Sequence, residues 1–306
     1  MVSAVRVRIE HAIPLPGVLA VPPTILSDDQ VKQYHQDGFY LAKGFFDAEE
    51  TGLLLRSAKA DHELDRRSFG RADGEGGVVR LSLWNHPGDG IYGMFARCER
   101  MVRGCEKVLG GEVYHYHSKM ILKDAKVGGA WAWHQDYGYW YQNGVVQPLL
   151  TSVFIAVDPC TRENGCLQVI RNSHHCGRVN HVLTGDQAGA DRERVDEILK
   201  RTDHFPLVYV EMDPGDALFF HCNLLHRSDQ NRSDKSRWAM ICCYNAARND
   251  PYKESHHPRY TPLKVVPDSA IKAVGVKRFA DDPSDVAWLE DTRDSSAKSL
   301  LQEETK

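Results

Sequence analysis

The residues best suited to chemistry lie in one short run, Trp131-Ala132-Trp133-His134-Gln135-Asp136. In an extended chain alternate side chains share a face, so His134 and Asp136 are expected to point together while Gln135 points away. An imidazole with a carboxylate suits a divalent metal of intermediate hardness. A second imidazole would complete a three-ligand face and leave the remaining positions open for a cosubstrate and O2. That imidazole is on offer downstream, where Gly215-Asp216-Ala217-Leu218-Phe219-Phe220-His221 is followed by His226-Arg227-Ser228. A turn here feeds a buried strand, and the next strand would deliver His226 from the far side of a sandwich. His221, beside Cys222 at a strand end, is the rival third ligand. Arg237 follows His226 by eleven residues. Its planar guanidinium could grip the distal end of a dicarboxylate through two parallel hydrogen bonds while the other end chelates the metal. Without such an anion, a cation buried in a barrel would cost several kcal/mol.

These residues need a scaffold that brings distant strands together. Residues 1–26 read as an extended, Pro-rich lead-in. Ser27 with Gln30 forms a capping box that starts a helix, and Gly38 ends it. Residues 39–42 predict a strand, and Asp47-Ala48-Glu49-Glu50 opens a helix to about Asp61. A third helix is expected from about Tyr92 to Leu109, stopping at Gly110-Gly111. Beyond Gly111 the texture turns to β-branched and aromatic runs punctuated by Gly, Pro, Asn and Asp. Strands are predicted at 113–123, 131–136, 151–158, 166–170, 207–212, 216–221, 225–229 and 236–246. The expected fold class is mainly β with flanking helices, a double-stranded β-helix or cupin-like jelly roll. A single domain would span 27–290, with N-terminal helices over 27–111 and a barrel core over 112–247. The charged stretch 191–201 predicts a helix outside the sheets. Beyond Ala247 a loop is expected, and 291–306 is polar enough for a disordered tail.

Composition narrows the partners. The 306 residues carry a formal net charge of -4, so no excess of Lys and Arg supports nucleic-acid binding. A small-molecule substrate is the expected partner. No run is apolar enough to span a membrane, and Pro14, Pro16, Pro22 and Pro23 would break any signal-peptide helix near the start. The eight Cys show no Cys-x-x-Cys pair and no zinc spacing, which reads as reduced thiols in a cytoplasmic enzyme.

From Gln30 to Ala246 the chain resembles the phytanoyl-CoA dioxygenase family, which includes the ectoine hydroxylases. The marks are Asp37-Gly38-Phe39 and Gly44-Phe45-Phe46, then His134-Gln135-Asp136, then Glu163-Asn164-Gly165-Cys166-Leu167 before Ser173-His174, and finally His226-x-Ser228 with Arg237. The resemblance implies that His134, Asp136 and His226 bind Fe(II), and that Ser228 and Arg237 hold the carboxylate of 2-oxoglutarate. The activity it implies is hydroxylation of a small molecule by O2, with release of succinate and CO2. Other oxidations such as desaturation, cyclisation or epimerisation would use the same ligands.

The same resemblance makes His117-Ser118-Lys119-Met120-Ile121 the first barrel strand, with His117 and Ile121 facing the site and Lys119 against cosubstrate or a substrate carboxylate. Ectoine hydroxylase-like members carry Gln, Arg and Asn at these three places, so the departures argue against ectoine as substrate. Phe154 would line the cosubstrate pocket and Arg80 would assist there. Trp140, with Tyr137 from the run Tyr137-Gly138-Tyr139-Trp140-Tyr141, would form an aromatic substrate wall. His174 is expected to cap a loop. Two other classes compete: a cupin-type metal dioxygenase without 2-oxoglutarate, and a non-catalytic metabolite-binding jelly roll. Arg237 discriminates, because a cosubstrate-free enzyme needs no dicarboxylate clamp.

Overall fold

The structure, a computed structural model, describes residues 25–278 and 288–289. Nearly all of the expected lead-in 1–26, and the whole of the expected tail 291–306, lie outside the described residues.

Local signals start the fold as the sequence predicts. Helix α1 (Asp28–Asp37) has the Ser27 hydroxyl accepting from Gln30 N–H at 3.3 Å, while the Gln30 side chain accepts from Ser27 N–H at 2.8 Å. Gly38 closes it at φ 84, a left-handed conformation that suits glycine. Strand β1 (Phe39–Ala42) follows. Helix α2 (Ala48–Ala60) is capped by the reciprocal Asp47 and Glu50 pair, and Asp61 caps the short α3 (His62–Arg66).

Next come β2 (Phe69–Ala72) and β3 (Val78–Trp84), a hairpin absent from the sequence expectation. The single helix expected over 92–109 is two, α4 (Ile91–Arg97) and α5 (Glu99–Leu109), because Cys98 is extended at φ -60, ψ 148. The cause is distant in sequence. Val266 N–H donates to the Arg97 carbonyl at 3.0 Å, and Cys98 and Val266 form a parallel bridge.

The barrel core runs β4 (Val113–Lys123), β5 (Trp131–His134), α6 (Tyr137–Trp140), β6 (Leu150–Ala156), β7 (Leu167–Ile170), β8 (His181–Thr184) and β9 (Gln187–Ala190). It continues with α7 (Arg192–Leu199), β10 (Leu207–Val210), β11 (Ala217–His221), β12 (His226–Ser228) and β13 (Arg237–Ala246). The segment beyond Ala247 is more than loop: α8 (Ala270–Arg278) packs back on the molecule, with Ile271 fully buried and Gly275 close against Leu53 and Ile91. Strand β14 (Trp288–Leu289) pairs with β3.

Two antiparallel sheets face one another, as the jelly-roll expectation requires. The larger runs β1-β11-β6-β13-β4-β3-β14 with β2 also on β3, the smaller β10-β7-β12-β5, and β8 with β9 forms a separate ribbon. Strand alternation divides two cores. Val153, Ile155, Met240, Cys242 and Tyr244 face the helices with Phe45, Phe46 and Phe95. Phe154, Ala156, Ala239, Ile241 and Phe220 face the smaller sheet with Leu167 and Val169. On β4 the same alternation sends Met120 and Leu122 to the helices, and puts Lys119, Ile121 and Lys123 beside a cavity between the sheets.

Candidate metal centre

His134 ends β5 and His226 begins β12, and the two are direct partners across the antiparallel ladder. Their ring centroids lie 4.0 Å apart. His134 Nδ1 lies 2.8 Å from the Ala132 carbonyl and His226 Nδ1 lies 2.9 Å from the Leu224 carbonyl. With each Nδ1–H donating to its carbonyl, the Nε2 lone pairs are free for a ligand bond. Burial depresses both imidazoles below their ordinary pKa, His134 well below it and further through His226, so both are held neutral and ligand-competent.

Asp136 reaches the same point by a different route from the one its spacing suggests. The strand ends at His134, and Asp136 is helical at φ -56, ψ -46, where it opens α6. Its Oδ1 lies 3.8 Å from His134 Nε2, and its Oδ2 accepts a 2.7 Å hydrogen bond from the Ser152 hydroxyl of β6. The three ligand atoms all lie within 4.8 Å of one another, and all three residues are buried. Gln135 points away and braces the turn: its amide donates to the Gly177 and Asn223 carbonyls and its Oε1 accepts from Val179 N–H at 2.6 Å. The rival His221 is outside the cluster. Its Nδ1 accepts from Asn223 N–H at 3.0 Å, and its ring lies near Tyr34 and His174.

Two imidazole nitrogens and one carboxylate oxygen on one face fit Fe(II) and leave its opposite face open. Beside them lies a cavity lined by Phe154, Phe220, Ser228, Lys123 and Arg237. Arg237 is 1% exposed, stands opposite Lys123 in the β13–β4 ladder, and has its guanidinium 5.5 Å from the Phe154 ring. It has no ion-pair or hydrogen-bond partner among the described residues, its Nε is unsatisfied, and burial depresses its pKa. The Lys123 ammonium donates to the Asp229 carbonyl, and burial with Arg237 beside it pushes its pKa well down. Two basic side chains therefore stand side by side on the wall of this cavity. Sequence reasoning missed Lys123, although it lies two residues beyond Ile121 and four beyond Lys119 on the same strand face.

A second cavity adjoins the first. It is lined by Trp140, His117, Tyr139, His257, Gln187 and Arg71, with Asp186 among its lining residues, and Lys119 and Trp131 line both. The His117 ring stacks on His257 at 4.3 Å and 8°, and Trp140 meets His117 edge-on at 5.3 Å.

Two expected pocket residues are elsewhere. Arg80 ion-pairs with Asp124 and Asp65, each at 2.8 Å, and lines neither cavity. Period-two alternation explains it, since Val79, Leu81 and Leu83 take the cavity face of β3. Tyr137 also turns away, its hydroxyl donating to the Val146 carbonyl at 2.7 Å. The backbone is helical from Asp136, so side chains advance by about 100° per residue and Tyr139 with Trp140 faces the cavity instead. His174 Nε2 lies 3.0 Å from the His35 carbonyl, a loop contact outside the cluster.

Comparison with known proteins places the chain among relatives. The family model for phytanoyl-CoA dioxygenase matches residues 34–239. L-proline trans-4-hydroxylase of Streptomyces griseoviridis is 33% identical over 210 residues, covering 63% of this chain and 75% of that protein. Ectoine dioxygenase of Bordetella parapertussis is 27% identical over 269 residues, covering 81% and 85%. Among solved structures, EctD from S. alaskensis with bound Fe superposes with a TM-score of 0.66 at 22% identity, covering 85% of this chain and 94% of that one. The same protein with 2-oxoglutarate and 5-hydroxyectoine gives a TM-score of 0.62.

Proposed function

The chain belongs to the phytanoyl-CoA dioxygenase family, and from that premise we propose that it is an Fe(II)- and 2-oxoglutarate-dependent oxygenase that hydroxylates a small molecule. His134, Asp136 and His226 hold the iron. Arg237 and Lys123 receive the distal carboxylate of 2-oxoglutarate, with Ser228 as a hydrogen-bond donor and Phe154 as an apolar wall. Bound iron supplies oxidative decarboxylation of 2-oxoglutarate by O2, giving succinate, CO2 and the oxidant for a substrate C–H bond. The protein's own part is to orient. Ser152 fixes the Asp136 carboxylate. The Ala132 and Leu224 carbonyls fix the two imidazoles. Trp140 and His117 wall the adjoining cavity where the substrate sits.

The observation that carries this reading is Arg237, a cation 1% exposed, without an anionic partner among the described residues, in the cavity beside a three-ligand cluster. A metal dioxygenase without 2-oxoglutarate would have no use for it. The test is anaerobic loading with Fe(II), then addition of 2-oxoglutarate and O2 with a substrate panel. Iron-dependent succinate is expected; its absence with iron bound would remove the cosubstrate assignment.

Among the described residues no helix is long and apolar enough to cross a membrane. The eight cysteines are free thiols, seven of them buried. That thiol usage supports a reducing, cytoplasmic setting.

A further inference from the structure

We infer that the substrate is a small molecule bearing a free carboxylate, and that Lys119 holds that carboxylate. This rests on the oxygenase reading and names the substrate class for the same site.

The case begins with β4. Residues two apart on a strand share a face and lie roughly 6.6 Å apart. His117 lines the outer cavity alone, Lys119 lines both cavities, and Ile121 and Lys123 line the metal-side cavity alone. Lys119 therefore stands at the junction, where a substrate C–H bond must approach the metal. Lys119 is 8% exposed. Its side chain makes no hydrogen bond or ion pair with the described residues, and its neighbours across the ladder, Ile241 and Leu83, are apolar.

The cosubstrate does not account for this third cation. Its distal carboxylate already meets Arg237 and Lys123, which stand opposite one another at the far end of β4. Its other end is taken by the metal. Lys119 lies four residues up the strand, roughly 13 Å from Lys123 along the backbone, and opens on the outer cavity. Within that cavity its side chain has no ion-pair partner among the described residues, so it is available to an anion that enters.

The outer cavity favours the same class. Arg71 adds a second cation to its lining, and Asp186 supplies the acidic group, with its Oδ2 accepting from Ala72 N–H at 3.3 Å. Asp186 is exposed and so lies at the mouth. A purely cationic substrate would enter against Lys119 and Arg71. An amino-acid-like zwitterion meets both ends: its carboxylate turns inward to Lys119, its ammonium faces Asp186, and its carbon skeleton lies against Trp140 and the His117–His257 stack.

The test uses the full chain loaded with Fe(II) and 2-oxoglutarate without O2. The standard amino acids, L-proline among them, and their carboxamides are titrated in calorimetrically, and each is then turned over with O2 while succinate is measured. At least one free acid is expected to bind and raise succinate formation, with its carboxamide at least tenfold weaker. Lys119→Met is expected to weaken that acid at least tenfold while the Kd of 2-oxoglutarate moves less than threefold, and Lys119→Arg is expected to recover most of the binding. Carboxamides that bind as well as their acids would overturn the proposal. So would an absence of binding by every acid while 2-oxoglutarate still binds, or a Lys119→Met effect confined to 2-oxoglutarate. Failure of 2-oxoglutarate itself to bind would instead strike the oxygenase reading.

Discussion

Arg237→Met separates a functional cation from a structural one. The substitution keeps an unbranched, largely apolar stem, shorter than that of arginine by most of the guanidinium, and removes the charge. Without cosubstrate, Arg237 is buried with no partner among the described residues, beside a second buried cation, Lys123. Removing that charge should relieve the fold: replacing buried ionic groups by apolar ones of similar volume stabilises by about 1–4 kcal/mol, and the lower half applies because methionine fills the space imperfectly. At roughly 2–4 °C per kcal/mol, Tm of the cosubstrate-free protein should rise by several degrees. Binding moves the other way. Truncating one partner of a buried charge pair costs about 2–5 kcal/mol. Lys123 remains to meet the carboxylate, so the low end is expected, about 30- to 150-fold in the KM for 2-oxoglutarate. Calorimetry with and without 2-oxoglutarate gives the first quantity and succinate formation the second. A lower Tm together with an unchanged KM would refute the reasoning and make Arg237 a structural residue.

Other consequences follow from individual contacts. Ser152→Ala removes the hydroxyl that orients Asp136; a 10- to 100-fold loss of Fe(II) affinity is expected, measured by competition with a chelator. Arg80→Met breaks two ion pairs that are partly exposed, so stability should change by about 1 kcal/mol or less and the KM for 2-oxoglutarate should not change. Burial lowers His115 and His221 to about 3 and His181 to about 4. Such groups bind more protons unfolded than folded, so the stability they contribute is present above about pH 6.5 and is lost as pH falls toward their folded values. Near pH 5, these three should give a loss of roughly 4 kcal/mol per pH unit, which denaturant melts between pH 7 and 5 would show; a flat profile would contradict their burial as neutral rings.

Much of this arrangement was legible because it is local or periodic. The Ser27–Gln30 and Asp47–Glu50 boxes start their helices, and every strand predicted after Gly111 is present with each bound within two residues of the expected one. His134, Asp136 and His226 were legible as types and spacing, and they come together in space. What escaped depends on distant partners or on a change of backbone period. The break at Cys98 carries no Gly or Pro; it exists because Val266 bridges there. The β8–β9 ribbon was missed because β9 is Gln-Ala-Gly-Ala, too small in its side chains to show an alternating pattern. Tyr137 was misplaced by extending the strand through Asp136, where the chain already turns helical. Arg80 faces away from the cavities because Val79 and Leu81 take the cavity side of β3, an alternation that the sequence already carries. Lys123 was overlooked for want of carrying that same alternation two residues past Ile121.

The central claim is that His134, Asp136 and His226 jointly hold one iron. Anaerobic titration of Fe(II) into the full chain and into Asp136→Ala, followed by equilibrium dialysis, tests it most directly. One tightly held iron per chain is expected in the parent, with affinity in the variant reduced by at least two orders of magnitude and hydroxylation abolished. Equal iron retention in the two proteins would contradict the account.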